Sequence, residues 1–173
     1  MPMPPSEQIL RPARQRFIVL SLLLAFCLQI VPLGQLPWRP DVLLLVLVFW
    51  GLHQPQRIGI GTAFALGVAM DVQAASLLGQ HALAYAVVVT WVQSMANRLL
   101  WYPSGIQQAV LLLVPFVLAT LLQMAVGWAA SHSVPPLPML LAPLAQALLW
   151  PLTRHLLLAP QLSAPTERER RRL

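Results

Sequence analysis

The hydrophobic residues of this chain come in long unbroken runs instead of alternating with polar ones. Six such segments can be drawn: about Arg16 to Leu36, Pro40 to Leu52, Ile58 to Val72 (extendable to Leu78), Gln80 to Leu99, Ser104 to Ala130 and Leu137 to Ala159. Short polar turns such as His53 to Arg57 and Ser131 to Pro136 separate them. Runs of this kind predict membrane-spanning helices. The second is thin, since its thirteen residues reach about 20 Å as a helix against a hydrocarbon core of about 30 Å. It reads as a broken or re-entrant element, or as a short helix sheltered by its neighbours. Its start is well marked. Pro40 suits a first helical turn, where its missing N–H costs nothing, and Asp41 suits the positive end of the helix dipole.

Composition supports this picture. The chain is 58% hydrophobic and 9% charged, where soluble domains carry about 25% charged residues. There is no lysine; all eleven basic residues are arginines. The first run, preceded by arginines, looks like a signal peptide, but no A-x-A-like cleavage site follows, so it is read as an uncleaved first span. With the N-terminus in the cytoplasm, six spans place ten of the eleven arginines inside and only Arg39 outside, as the positive-inside rule expects. The expected organisation is therefore an all-α integral membrane protein, N-in and C-in. A basic tail (1–15) precedes a membrane domain (16–159) and an Arg-rich tail (160–173). Arg11, Arg14 and Arg16 in front, and Arg168, Arg170, Arg171 and Arg172 behind, suit anionic lipid. No nucleic-acid motif accompanies them, so nucleic acid is not an expected partner. Cys27, the sole cysteine, excludes a disulfide within the chain.

Asp71 is the anomaly. It is the only charged residue between Arg57 and Arg98. Steps of four from it reach Gly67, Ala63 and Gly59 in one direction, and Ala75 and Gly79 in the other. Small residues at this spacing let a second helix approach closely, which makes a packing stripe. An ionised aspartate at the centre of an isolated spanning helix costs about 2.5–3.5 kcal/mol, so Asp71 needs a partner or a helix end. Counting from a turn at Pro55, helical arms would bring Arg39, Asp41 and Asp71 to a common depth about 21–24 Å away, toward the outer face. This count predicts a polar cluster in which Arg39 pairs with Asp71 while Asp41 joins them or caps its own helix. The alternative is that Asp71 caps a helix end at the outer interface.

Other chemistry is sparse. His53, His81, His132 and His155 show no i, i+4 pairing, and two of the four are placed on each side, so no metal site is expected. Nucleotide-binding and nucleophile motifs are missing, and neither Asp41 nor Asp71 sits in the Gly-x-Gly-Asp context of membrane aspartic proteases. Neither an enzyme nor a cofactor is expected. Thr90, Gln93, Ser94, Thr120, Gln123 and Gln146 can hydrogen-bond across helices or line a pocket. Trp91, Trp101, Tyr102, Trp128 and Trp150 sit near predicted segment ends, as interfacial anchors do. A second functional class stays open: a membrane subunit that captures a vitamin-like small molecule in an outward pocket lined by Gln123, Gln146 and the Arg39 region.

The stretch from Trp38 to Val88 carries a resemblance. Pro40-Asp41 enters the second segment, and Arg57 marks a basic turn. Gly59 and Gly61 then open the third segment, Gly67 lies four before Asp71, and Leu78-Gly79 precedes Ala82-Leu83-Ala84-Tyr85. In this combination the chain resembles the rod shape-determining MreD family. The resemblance implies a non-catalytic inner-membrane component of the bacterial elongation machinery in a rod-shaped Gram-negative organism. It implies partnership with MreC and, through it, with MreB, RodA and a penicillin-binding transpeptidase. It also implies a fold similar to the substrate-binding subunits of energy-coupling-factor transporters.

Overall fold

The computed structural model describes residues 14–31, 38–102, 104–132 and 136–161. Arg11, Arg168, Arg170, Arg171 and Arg172 therefore lie outside the described residues. Among these residues the α-helices are α1 (Gln15–Ile30), α2 (Val42–His53), α3 (Ile60–Gln73), α4 (Gln80–Ser94), α5 (Ala96–Trp101), α6 (Gly105–Ser131) and α7 (Ala142–Leu158). A 3₁₀ turn, Leu137–Leu141, leads into α7. One helix answers each predicted segment, except that the fourth divides. Ser94 Oγ turns back onto the carbonyl of Trp91, and Met95 leaves helical geometry at φ −99°, ψ 5°. Such side-chain back-bonding competes with the helix ladder. α5 then bends toward the start of α6.

The thin second segment is a complete short helix and the centre of the fold. Asp41 is its N-cap, with Oδ1 accepting the N–H of Leu44 at 2.9 Å. Pro40 thus stands just ahead of the cap and outside the first turn. Every residue from Leu43 to Leu52 is buried, because α1, α4 and α7 surround the helix. α6 packs on α7 and α4, whereas α3 leans chiefly on α4. α2 and α3 do not pack side by side as a hairpin, a point that matters for Asp71.

One end of α2 is sealed by aromatic rings. Trp50 meets Phe17 and Phe49 edge to face at 5.8 and 5.1 Å, and Phe49 stacks on His53 at 4.2 Å. Trp150, expected at an interface, is fully buried here beside Phe49. Its indole N–H donates to Gln108, whose amide in turn donates to the carbonyls of Leu99 and Tyr102. Trp101 and Trp128 do stay exposed. Among the described helices, α6 (over Gly105–Ala130) has by itself the length and hydropathy to cross a membrane, and α1, α2 and α3 are shorter apolar helices.

Candidate functional site

α4 begins after Gly79, whose backbone is left-handed at φ 104° and which has no side chain to cap the helix. The first N–H groups of any helix lack partners within it. Here Asp71, reaching across from the last turn of α3, supplies them. Its Oδ2 accepts the N–H of Gly79 at 2.8 Å and of Ala82 at 3.3 Å, and its Oδ1 accepts the N–H of His81 at 2.8 Å. The Ser76 hydroxyl donates to Oδ1 at 3.0 Å, and His81 Nδ1 lies 2.7 Å from the same atom. A carboxylate can only accept, so Nδ1 carries the proton and Nε2 is left uncommitted. Asp71 is fully buried. Five donors fill the roughly four lone-pair sites of a carboxylate, and the positive helix end stabilises its charge.

The expected Arg39–Asp71 pair is therefore not formed. The depth count assumed that α2 and α3 pack as a hairpin, but α3 turns its Asp71 face to α4, and the carboxylate has no site left for a guanidinium. Arg39 caps a different helix end. Its Nη2 donates to the carbonyls of Leu28 and Gln29, at 3.0 and 2.8 Å, in the last turn of α1. Gln29 returns the favour to α2 by accepting the N–H of Val42 at 3.2 Å. Asp41, besides capping α2, accepts the hydroxyl of the fully buried Tyr85 on α4. Asp71, Asp41 and Arg39 thus share one end of the bundle, each as a helix cap.

The small-residue stripe is real over only part of its length. Ala63 and Gly67 are buried on α3. A Cβ at Gly67 would come to 2.6 Å from the backbone N of Ala82 and 2.8 Å from the carbonyl carbon of His81. Glycine is required there because the capped end of α4 rests on it. Gly59 meets open space. Ala75 and Gly79 do not continue the stripe, because α3 stops at Gln73. Ala75 adopts φ 48°, with Ala75 N–H bonded to the Val72 carbonyl and Ser76 N–H to the Asp71 carbonyl. This is a Schellman end, which returns the chain toward α4 and most often carries glycine at the left-handed position.

Beside this joint lies a cavity of about 180 Å³. Arg39 and Asp41 line one side, His81 another, and Thr120, Gln123 and Gln146 the face formed by α6 and α7. Gln123 and Gln146 are 7% and 3% exposed, and Gln146 Oε1 is buried with no hydrogen-bond partner. An unsatisfied buried acceptor costs roughly 1–3 kcal/mol. The other polar residues of the later helices are spent internally: Gln93 donates to the Ile58 carbonyl, and Thr90 and Thr120 to carbonyls of their own helices.

Comparison with known proteins decides the family. The profile of the rod shape-determining protein MreD family matches residues 11–159. The Rod shape-determining protein MreD of Haemophilus influenzae is 32% identical over 145 residues, which cover 79% of this chain and 86% of that protein. The chain belongs to the MreD family. No solved structure matches it.

The MreD family is a family of membrane proteins that determine rod shape. Six of the motif residues that carry the family resemblance, Asp41, Gly67, Asp71, Gly79, Ala82 and Tyr85, form one structural joint. Asp41 and Tyr85 tie α2 to α4, Gly67 and Asp71 tie α3 to α4, and Gly79 and Ala82 present the N–H groups that Asp71 receives. Lipid tails are as apolar as leucine, so helices in a bilayer associate through close packing and hydrogen bonds instead of the hydrophobic effect. Ser76 and His81 belong to this joint and were not predicted. The available signal was Gly79 itself, a glycine opening a helix that must borrow its cap.

Proposed function

We propose that this chain is a multi-pass inner-membrane component of the bacterial elongation complex. In this reading it is non-catalytic and scaffolds or regulates lateral peptidoglycan synthesis. α1, α2, α3, the α4–α5 pair, α6 and α7 are the six crossings, with both termini in the cytoplasm and the helix-cap end facing outward. Its partners are MreC and, through MreC, MreB, RodA and a penicillin-binding transpeptidase, with the basic tails on anionic lipid. The observation that carries this reading is the use made of the two motif aspartates. Both carboxylates are occupied by helix-capping and cross-helix donors, the work of a rigid body that partners grip and not of a general base. The fold similarity to substrate-binding subunits of energy-coupling-factor transporters belongs to the same proposal.

Depleting the protein should turn rods into spheres, and tagged protein should co-purify MreC. Rods that persist on full depletion would overturn the reading. A reporter fused after Arg172 should stay on the cytoplasmic side. The small-molecule reading gains one specific observation, the cavity beside Gln146. Its volume of about 180 Å³ falls below the roughly 300–1,000 Å³ of pockets that hold drug-sized ligands, so a vitamin-sized molecule is disfavoured.

A further inference from the structure

The cavity holds more polar capacity than the fold uses. Gln146 Oε1 is a buried acceptor with nothing to accept, and Gln123 on α6, 7% exposed, lines the same wall. Buried polar groups are nearly always satisfied, and each exception calls for the group that fills it. Arg39 spends Nη2 on the end of α1, and its guanidinium charge stands at the cavity wall, where an anionic group can face it. Asp41 lies on the same wall. A purely anionic ligand would face its carboxylate, and a purely cationic one would face Arg39. The wall is matched by a molecule carrying both signs, with its anionic group toward Arg39 and its N–H donors toward the Gln146 amide.

We infer that this cavity is a binding site for a small zwitterion, an anionic group joined by a short linker to an ammonium or N–H donor. A phosphoethanolamine lipid headgroup and a free amino acid both have this chemistry. The inference does not depend on the shape-complex reading, since it rests on the cavity wall alone.

The test melts the purified full-length protein in lipid-free detergent with three probes: glycerophosphoethanolamine, L-alanine and glycerol phosphate. A ligand that binds only the folded state raises Tm in a concentration-dependent way. A saturable rise with a zwitterion is expected, and a clearly smaller one with glycerol phosphate, which lacks the ammonium. A rise with glycerophosphoethanolamine alone assigns the site to lipid, and one with L-alanine alone to a soluble molecule. Gln146→Leu should abolish the rise while the free protein melts no lower than wild type. Gln146→Asn, which keeps the amide but draws it back, should weaken apparent affinity about tenfold and serves alone if the leucine variant does not fold. No rise with either zwitterion would mean that the cavity holds only water, and would overturn the inference. So would equal rises with glycerol phosphate, a rise that survives Gln146→Leu, or undiminished affinity in Gln146→Asn.

Discussion

His81 stands between two polar sites that treat their atoms in opposite ways. On one side, Asp71 is oversupplied, with five donors around one carboxylate and no exposed surface. On the other, Gln146 is undersupplied, with a buried amide oxygen that nothing reaches. Both lie in an apolar body where water offers little compensation. Saturation marks a polar group that holds the fold together, and vacancy marks one held open for something else. The contrast is therefore a statement about sign: removing the first should destabilise the protein, and removing the second should not.

The largest effect is expected at Asp71. Asp71→Ala leaves the N–H groups of Gly79, His81 and Ala82 unpaired at a buried helix end, together with the His81 ring. Deleting one partner of a buried charged network costs about 3–5 kcal/mol. Denaturant unfolding of the purified protein, followed by tryptophan fluorescence, should show a loss of that size. Asp71→Asn, which retains one carbonyl acceptor, should lose less. Gln146→Leu in the same assay should be neutral or slightly stabilising, since it removes an unsatisfied acceptor. If the two variants move stability in the same direction by similar amounts, the contrast between the sites collapses.

Gly67 comes next. Gly67→Ala puts a methyl group against the backbone of Ala82, and backbone cannot rotate away as a side chain can. Overpacking of this kind costs about 1–3 kcal/mol. Gly61→Ala, on the same helix but facing open space, gains helix propensity of about 0.5–1 kcal/mol. Opposite shifts of Tm for the two glycines would confirm that α4 rests on one position of the stripe. Equal shifts would show that the contact with α4 does not single out Gly67 on α3.

These positions also show what sequence could and could not reveal. Six apolar runs located six helical elements because continuous hydrophobicity is a local property. Asp71 announced itself as needing partners, by desolvation alone. Its partners were misassigned because charge complementarity favoured Arg39, whereas the winning donors are backbone N–H groups, which every sequence contains and no sequence displays. Helix pairing was the hidden variable. Consecutive segments α2 and α3 do not form the expected hairpin, and once α3 turns to α4 the nearest unsatisfied charges are those of a helix end. The same logic placed Arg39 on the carbonyls of α1. Gln123 and Gln146 were legible as polar residues in apolar helices, but only the assembled wall shows that they share a cavity and that Gln146 Oε1 lacks a partner.

The smallest expected effect lies at the hinge of the saturated site. Ala75 holds a left-handed backbone at φ 48° in the turn that swings Ser76 toward Asp71. An alanine in that region bears a steric cost of roughly 1–2 kcal/mol. Ala75→Gly relieves it but loosens the unfolded chain, which offsets about 0.4–1 kcal/mol. The net gain should be about 0.5–1 kcal/mol, read as a modest rise in Tm. The gain should disappear in an Asp71→Ala background, because the turn's geometry matters only while the carboxylate at its end draws Ser76 and α4 together. A gain of equal size in both backgrounds would mean that the Schellman turn and the aspartate cap are independent, and that the joint is two adjacent features and not one.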